Sequence, residues 1–130
     1  MGSISIDTSK WPIVVHTADG TPSNEAIDDY IREATDILLR GEPHVTVLDA
    51  RRVGKATAYT RARSREWLRE RRPELASYCL GAVYVVGSPL LRFVVMTVLV
   101  VARLPMPYRV CEELEEGMAW ARERLAHAGV

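Results

Sequence analysis

Three histidines, two cysteines and a run of arginines are the residues of this chain whose types could do chemistry. His16, His44 and His127 lie far apart in sequence. No Cys, Asp or Glu stands at a spacing that would complete a metal site or a general-base pair around any of them. No metal and no cofactor is expected, and His16, within a β-branched run, reads as a structural histidine. Cys79 and Cys111 form no C-x-x-C pair and read as buried, reduced thiols; a disulfide would need two strands to set them side by side. Ser88 has no G-x-S-x-G context and no assigned base, so it reads as a helix cap. Gly87-Ser88-Pro89 holds too few glycines to cradle a phosphate. Asp49 ends a hydrophobic run, where a parallel sheet presents ligands, and reads as capping the loop that follows. No catalytic residue is assigned and no enzymatic activity is expected, because no nucleophile, base and oxyanion donor converge.

Charge is patterned more strongly than chemistry. Residues 51–72 carry nine basic side chains against two acids. Arg61, Arg65, Arg69 and Arg72 recur at helical spacing, a stripe able to meet phosphates of nucleic acid or lipid. Residues 19–36 carry the opposite sign: Asp19, Glu25, Asp28, Asp29, Glu33 and Asp36 against Arg32 alone. The two patches can answer each other, within one chain or between copies. Only Trp67 interleaves with the arginines, which disfavours base stacking, and the formal net charge is zero. Nucleic acid is not an expected partner.

The elements that must position these residues follow from periodicity. Ile4–Asp7 and Trp11–Thr17 read as two strands. Asp19-Gly20 is a turn. Thr21-Pro22-Ser23 opens a helix whose stripe is Ile27, Tyr30, Ile31, Ala34, Ile37 and Leu38, closed by Gly41. Val45–Leu48 is a third strand, followed by a basic loop through Arg51, Arg52, Gly54 and Lys55. Thr57 caps a second helix from about Ala58 to Arg72, ended or kinked by Pro73. Ala82–Val86 is a fourth strand, apolar throughout, as a strand covered on both faces would be. Ser88-Pro89 opens a third helix, Tyr108–Cys111 is a fifth strand, and Glu112–Leu125 is a closing helix with acids first and bases last. The fold class is α/β: one mostly parallel five-stranded sheet in the order β-β-α-β-α-β-α-β-α, with four helices, in one domain over residues 1–130.

The third helix is the odd element. Over residues 90–102 only Arg92 and Thr97 are polar. Its uninterrupted part from Phe93 to Ala102, bounded by Arg92 and Arg103, is about half of the ~20 residues that a membrane span needs. Burying its extra face, ~300 Å² of apolar area, would contribute ~7 kcal/mol before entropic costs. Neighbouring helices, a second copy, a partner protein, a lipid tail or a membrane surface could cover it. Phe93, Met96 and Val100 are the expected contact residues there, and Arg61, Arg65 and Arg69 the charged docking face. Without a basic leader or long apolar run near the N-terminus, the cytoplasm is the expected location.

The layout resembles the STAS-like superfamily of sulfate transporters and anti-sigma-factor antagonists. In particular it resembles the bacterial single-domain branch grouped with CRAL-TRIO-type lipid-binding domains. The resemblance covers residues 11–125 and rests on Val45-Thr46-Val47-Leu48-Asp49-Ala50-Arg51, Gly81-Ala82-Val83-Tyr84-Val85-Val86, the opening at Ser88-Pro89, and Met118-Ala119-Trp120-Ala121. It implies a sheet packed against helices, partner binding or dimers, and no catalysis. Anti-sigma antagonists carry a phosphorylatable Ser where this chain reads Gly54-Lys55-Ala56-Thr57-Ala58. The Asp-Ser pair is missing, and Thr57 is the one hydroxyl left as a phospho-switch. The function expected is a regulatory or protein-interaction module. It would be homodimeric through the third helix and bind an unidentified protein. The alternative is a small lipid- or lipophile-binding protein that uses the same helix and the basic second helix.

Overall fold

Successive side chains of a strand point to opposite faces, and in the central strands both sets are apolar. The computed structural model describes residues 1–130. Its elements are β1 (Gly2–Asp7), β2 (Ile13–Gly20), α1 (Asn24–Leu38), β3 (His44–Val53), α2 (Ala58–Glu70), α3 (Arg72–Tyr78), β4 (Cys79–Val85), α4 (Pro89–Ala102), β5 (Tyr108–Cys111) and α5 (Leu114–His127). The five strands form one sheet in sequence order, with β1 antiparallel to β2 and every later pair parallel.

That order decides which face each helix takes. Right-handed crossovers between adjacent parallel strands put all connecting helices on the same side. Thus α1, α3 and α4 pack on one face, through Leu38, Leu75 and Leu99 against Cys79, Ala82, Val86 and Val110. The opposite face belongs to α5 alone, where Met118, Ala121 and Leu125 close over Val45, Val47, Val83 and Val85. Gly117 lets α5 approach the sheet: a Cβ there would lie 2.7 Å from Val83 Cγ1.

Two expectations are corrected. There are five helices, not four, because the chain breaks between Glu70 and Arg72. Pro73 has no N–H to continue the ladder and instead sits in the first turn of α3. Arg71 closes α2 by donating its backbone N–H to the Trp67 carbonyl at 2.9 Å. Arg72 therefore starts a new helix, and the arginine stripe on α2 ends at Arg69. Secondly, Arg51 and Arg52 lie in β3 and not in a loop. The reason is β2, which runs on to Gly20 past a register shift and pairs Asp19 with Arg52 and Gly20 with Val53. Asp49 is accordingly inside the strand. It binds the guanidinium of Arg51 through both carboxylate oxygens, at 2.9 and 2.8 Å.

Candidate binding site

Between the sheet and α1, α2 and α3 lies a cavity of about 240 Å³. Its floor is one cross-strand row: His16 of β2 is level with Leu48 of β3, which is level with Tyr84 of β4. Its roof is the stripe of α1 together with Trp67 and Leu68 of α2; Leu75 and Met106 close the end. Fifteen of its nineteen lining residues are hydrophobic, and none is Lys, Arg, Asp or Glu. The space persists because α2 is a poor filler. It has no buried residue, and polar bonds hold it. The Trp67 indole donates to Thr35 Oγ1 at 2.8 Å, the Tyr59 hydroxyl to Asp28 at 2.5 Å, and Arg63 Nε to Asp28 at 3.3 Å.

Few polar groups reach this space. His16 Nδ1 and the Tyr30 hydroxyl share a hydrogen bond of 2.6 Å. Burial, and secondarily the nearby His44, push the His16 pKa down to about 4, so the ring is neutral near pH 7. Burial raises Tyr30 and Tyr84 well above the usual phenol range, and Tyr84 adds to the effect on Tyr30. His44 is occupied elsewhere. Its Nδ1 donates to the Glu42 carbonyl at 2.9 Å and its ring stacks on Trp11.

The second feature is α4. Leu91, Val95 and Leu99 pack inward beside Val86 and Val110. The rest of the helix is bare: Phe93 is 70% exposed, Met96 45%, Val100 67% and Val101 78%, with Leu90, Val94 and Val98 beside them. Thr97, the one polar residue on that face, donates its hydroxyl to the Phe93 carbonyl at 2.9 Å. The chain's own helices do not cover this stretch. At its N-terminus Ser88 Oγ accepts from the Leu91 N–H at 3.0 Å, the cap that its sequence context predicts.

The remaining sequence-selected residues fall apart. Arg61, Arg65 and Arg69 are exposed on α2, and Arg61 donates to the Ala56 carbonyl at 2.6 Å. Thr57 caps α2, accepting from the Thr60 N–H at 3.1 Å. Asp28 of the acidic patch does meet a base, Arg63, at 3.3 Å. Cys79 and Cys111 are free and buried in clusters on opposite faces of the sheet. No three His, Cys, Asp or Glu side chains gather where a metal could bind. No helix is long and apolar enough to cross a membrane. Sequence reasoning misses the cavity, although His16, Tyr30 and Tyr84 each stand out as strand or stripe residues.

An α/β sheet of this order, with helices so divided, has a SpoIIAA-like fold. It matches an uncharacterized DUF3478-family protein with a SpoIIAA-like fold from Shewanella loihica PV-4. The TM-score is 0.74 at 11% identity, over 93% of this chain and 95% of that one. It also matches the anti-sigma factor antagonist SpoIIAA in its unphosphorylated form, with a TM-score of 0.64 at 15% identity, over 92% of this chain and 98% of that one. No family model and no curated protein matches the sequence.

Proposed function

We propose that this chain is a non-enzymatic binding module of the STAS-like type whose cargo is a lipophilic small molecule. One observation carries the reading: a largely apolar cavity of about 240 Å³ in a domain of 130 residues. Close-packed interiors leave few voids larger than a water molecule. The space is partly open and its lining is mostly apolar, so an apolar occupant would displace poorly bonded water and bury that lining. Titration with a short alkane, followed by amide NMR shifts, tests the reading. Residues around Leu48, Ala34 and Leu75 should shift and saturate, and Ala82→Phe, which fills the space, should abolish the response. An alkane that leaves those amides unmoved would remove the proposal.

The bare face of α4 supports a second reading, pairing with another copy of this chain. Its exposed side chains present on the order of 700 Å², near the ~800 Å² per partner of a standard interface. Light scattering at high micromolar concentration should report a dimer. A strict monomer there would end this reading, and a monomer that sediments with vesicles would assign the face to a lipid surface.

A further inference from the structure

We infer that the cavity selects a neutral lipophile bearing one hydroxyl or carbonyl oxygen, held by the Tyr84 hydroxyl and the free ring nitrogen of His16. The inference rests on the cavity reading above and adds the chemistry of the head group.

The floor row places His16 and Tyr84 two strand spacings apart, about 10 Å between their Cα atoms, with Leu48 between them. Both side chains line the same space, and Tyr30 reaches down to it from α1. His16 spends Nδ1 on Tyr30 and has no partner for Nε2. The Tyr84 hydroxyl likewise bonds to no protein group. The sealed side-chain atoms without a partner are Arg71 Nε and Glu74 Oε1, so His16 Nε2 and the Tyr84 hydroxyl are reachable from the space that both residues line. Two unpaired groups reachable from one apolar space form a socket for an oxygen that can bond to either or both.

The same lining excludes charge. No basic side chain faces the cavity. An ionised carboxylate or phosphate would be desolvated without a counter-charge, which costs far more than one neutral hydrogen bond returns. The depressed His16 pKa, about 4, keeps the imidazole from supplying a cation near neutral pH. Size is bounded as well. An engineered cavity of about 150 Å³ takes benzene, so this one takes about ten non-hydrogen atoms, a short chain or a fused bicycle.

The test compares 1-octanol, octane and octanoate at pH 8 by amide NMR titration of the intact chain. Octanol should bind about tenfold tighter than octane, as one neutral hydrogen bond allows, and octanoate should bind weakest. Tyr84→Phe should reduce the preference of octanol over octane, since only His16 Nε2 remains to bond the oxygen, while octane binding persists, which also reports that the variant folds. Octane binding as tightly as octanol, or octanoate binding tightest, overturns the head-group inference and leaves the cavity reading intact. If none of the three binds, both fall.

Discussion

His16 Nδ1 lies 2.6 Å from the Tyr30 hydroxyl, tying the middle of β2 to the helix that roofs it. The folded imidazole has a pKa near 4, whereas an unfolded histidine titrates near ~6.5. Between those values the unfolded chain binds a proton that the folded chain refuses, so stability falls as pH falls. The contribution is whole above about pH 6.5 and gone near pH 4, about 3 kcal/mol in all. His44 is shifted in the same direction, also by burial, and adds to the slope. Urea melts at pH 7.5 and 5 should show the loss, and His16→Gln should flatten it. An unchanged pH slope in that variant would contradict the assignment.

The weakest-held element of the roof is α2, and the bond from Trp67 to Thr35 is one of its three polar ties to α1, beside those of Tyr59 and Arg63 to Asp28. Trp67→Phe keeps most of the apolar contact and removes the indole N–H. Thr35 keeps its own bond to the Ile31 carbonyl at 2.7 Å, so no donor is orphaned. The expected cost is about 1 kcal/mol. Amide exchange should quicken over α2 while α5 stays protected, because opening is local where few apolar contacts resist it. Uniform acceleration over the whole chain would mean that α2 unfolds only with the rest.

On the other face the tolerance is reversed. The Cβ of Gly117→Ala would stand 2.7 Å from Val83 Cγ1 and 3.3 Å from Cys111 Sγ. Val83 is fully buried at the centre of the sheet, so it has little room to yield. Overpacking of this kind costs about 1–3 kcal/mol. Gly81→Ala meets Trp120 at 2.9 Å, but that ring lies half-buried beside Arg124 and can swing aside. Thermal melts should therefore rank Gly117→Ala as the more damaging change. The opposite order would place the rigid contact under Trp120.

Much of this layout is legible in local signals. Ser23, Thr57 and Ser88 open helices where their side chains accept an N–H, and the unbroken apolar run of β4 marks a strand with two covered faces. The break at Pro73 is visible too, but whether the chain resumes as helix depends on Leu75 finding the pocket beside Leu38 and Cys79. That is a tertiary fact. The far end of β3 is hidden because Arg51 and Arg52 look like loop residues, and only pairing with β2 makes them strand. The cavity is illegible for a similar reason. It arises from what α2 fails to fill, and no spacing in the sequence records an absence of packing.

The two sides of α4 make opposite predictions from similar residues. Leu99 is 5% exposed and packs in the cluster of Ala50, Val86 and Val110, so Leu99→Ala should cost about 2–5 kcal/mol. Val95 faces the same way, and Val95→Glu would bury an unpaired carboxylate and damage the fold itself. Val101 and Phe93, on the bare side, are 78% and 70% exposed, so a glutamate at either place stays in water. Val101→Glu should leave stability within about 0.5 kcal/mol of the parent. If a second copy covers this face, Phe93→Glu and Val101→Glu should each shift the light-scattering mass toward the monomer, because a desolvated charge at an apolar seam is uncompensated. A parent dimer that survives both changes would have its interface elsewhere. The basic side of α2, where Arg65 and Arg69 stand exposed without an acidic partner within 4 Å, would be the next surface to reverse in charge.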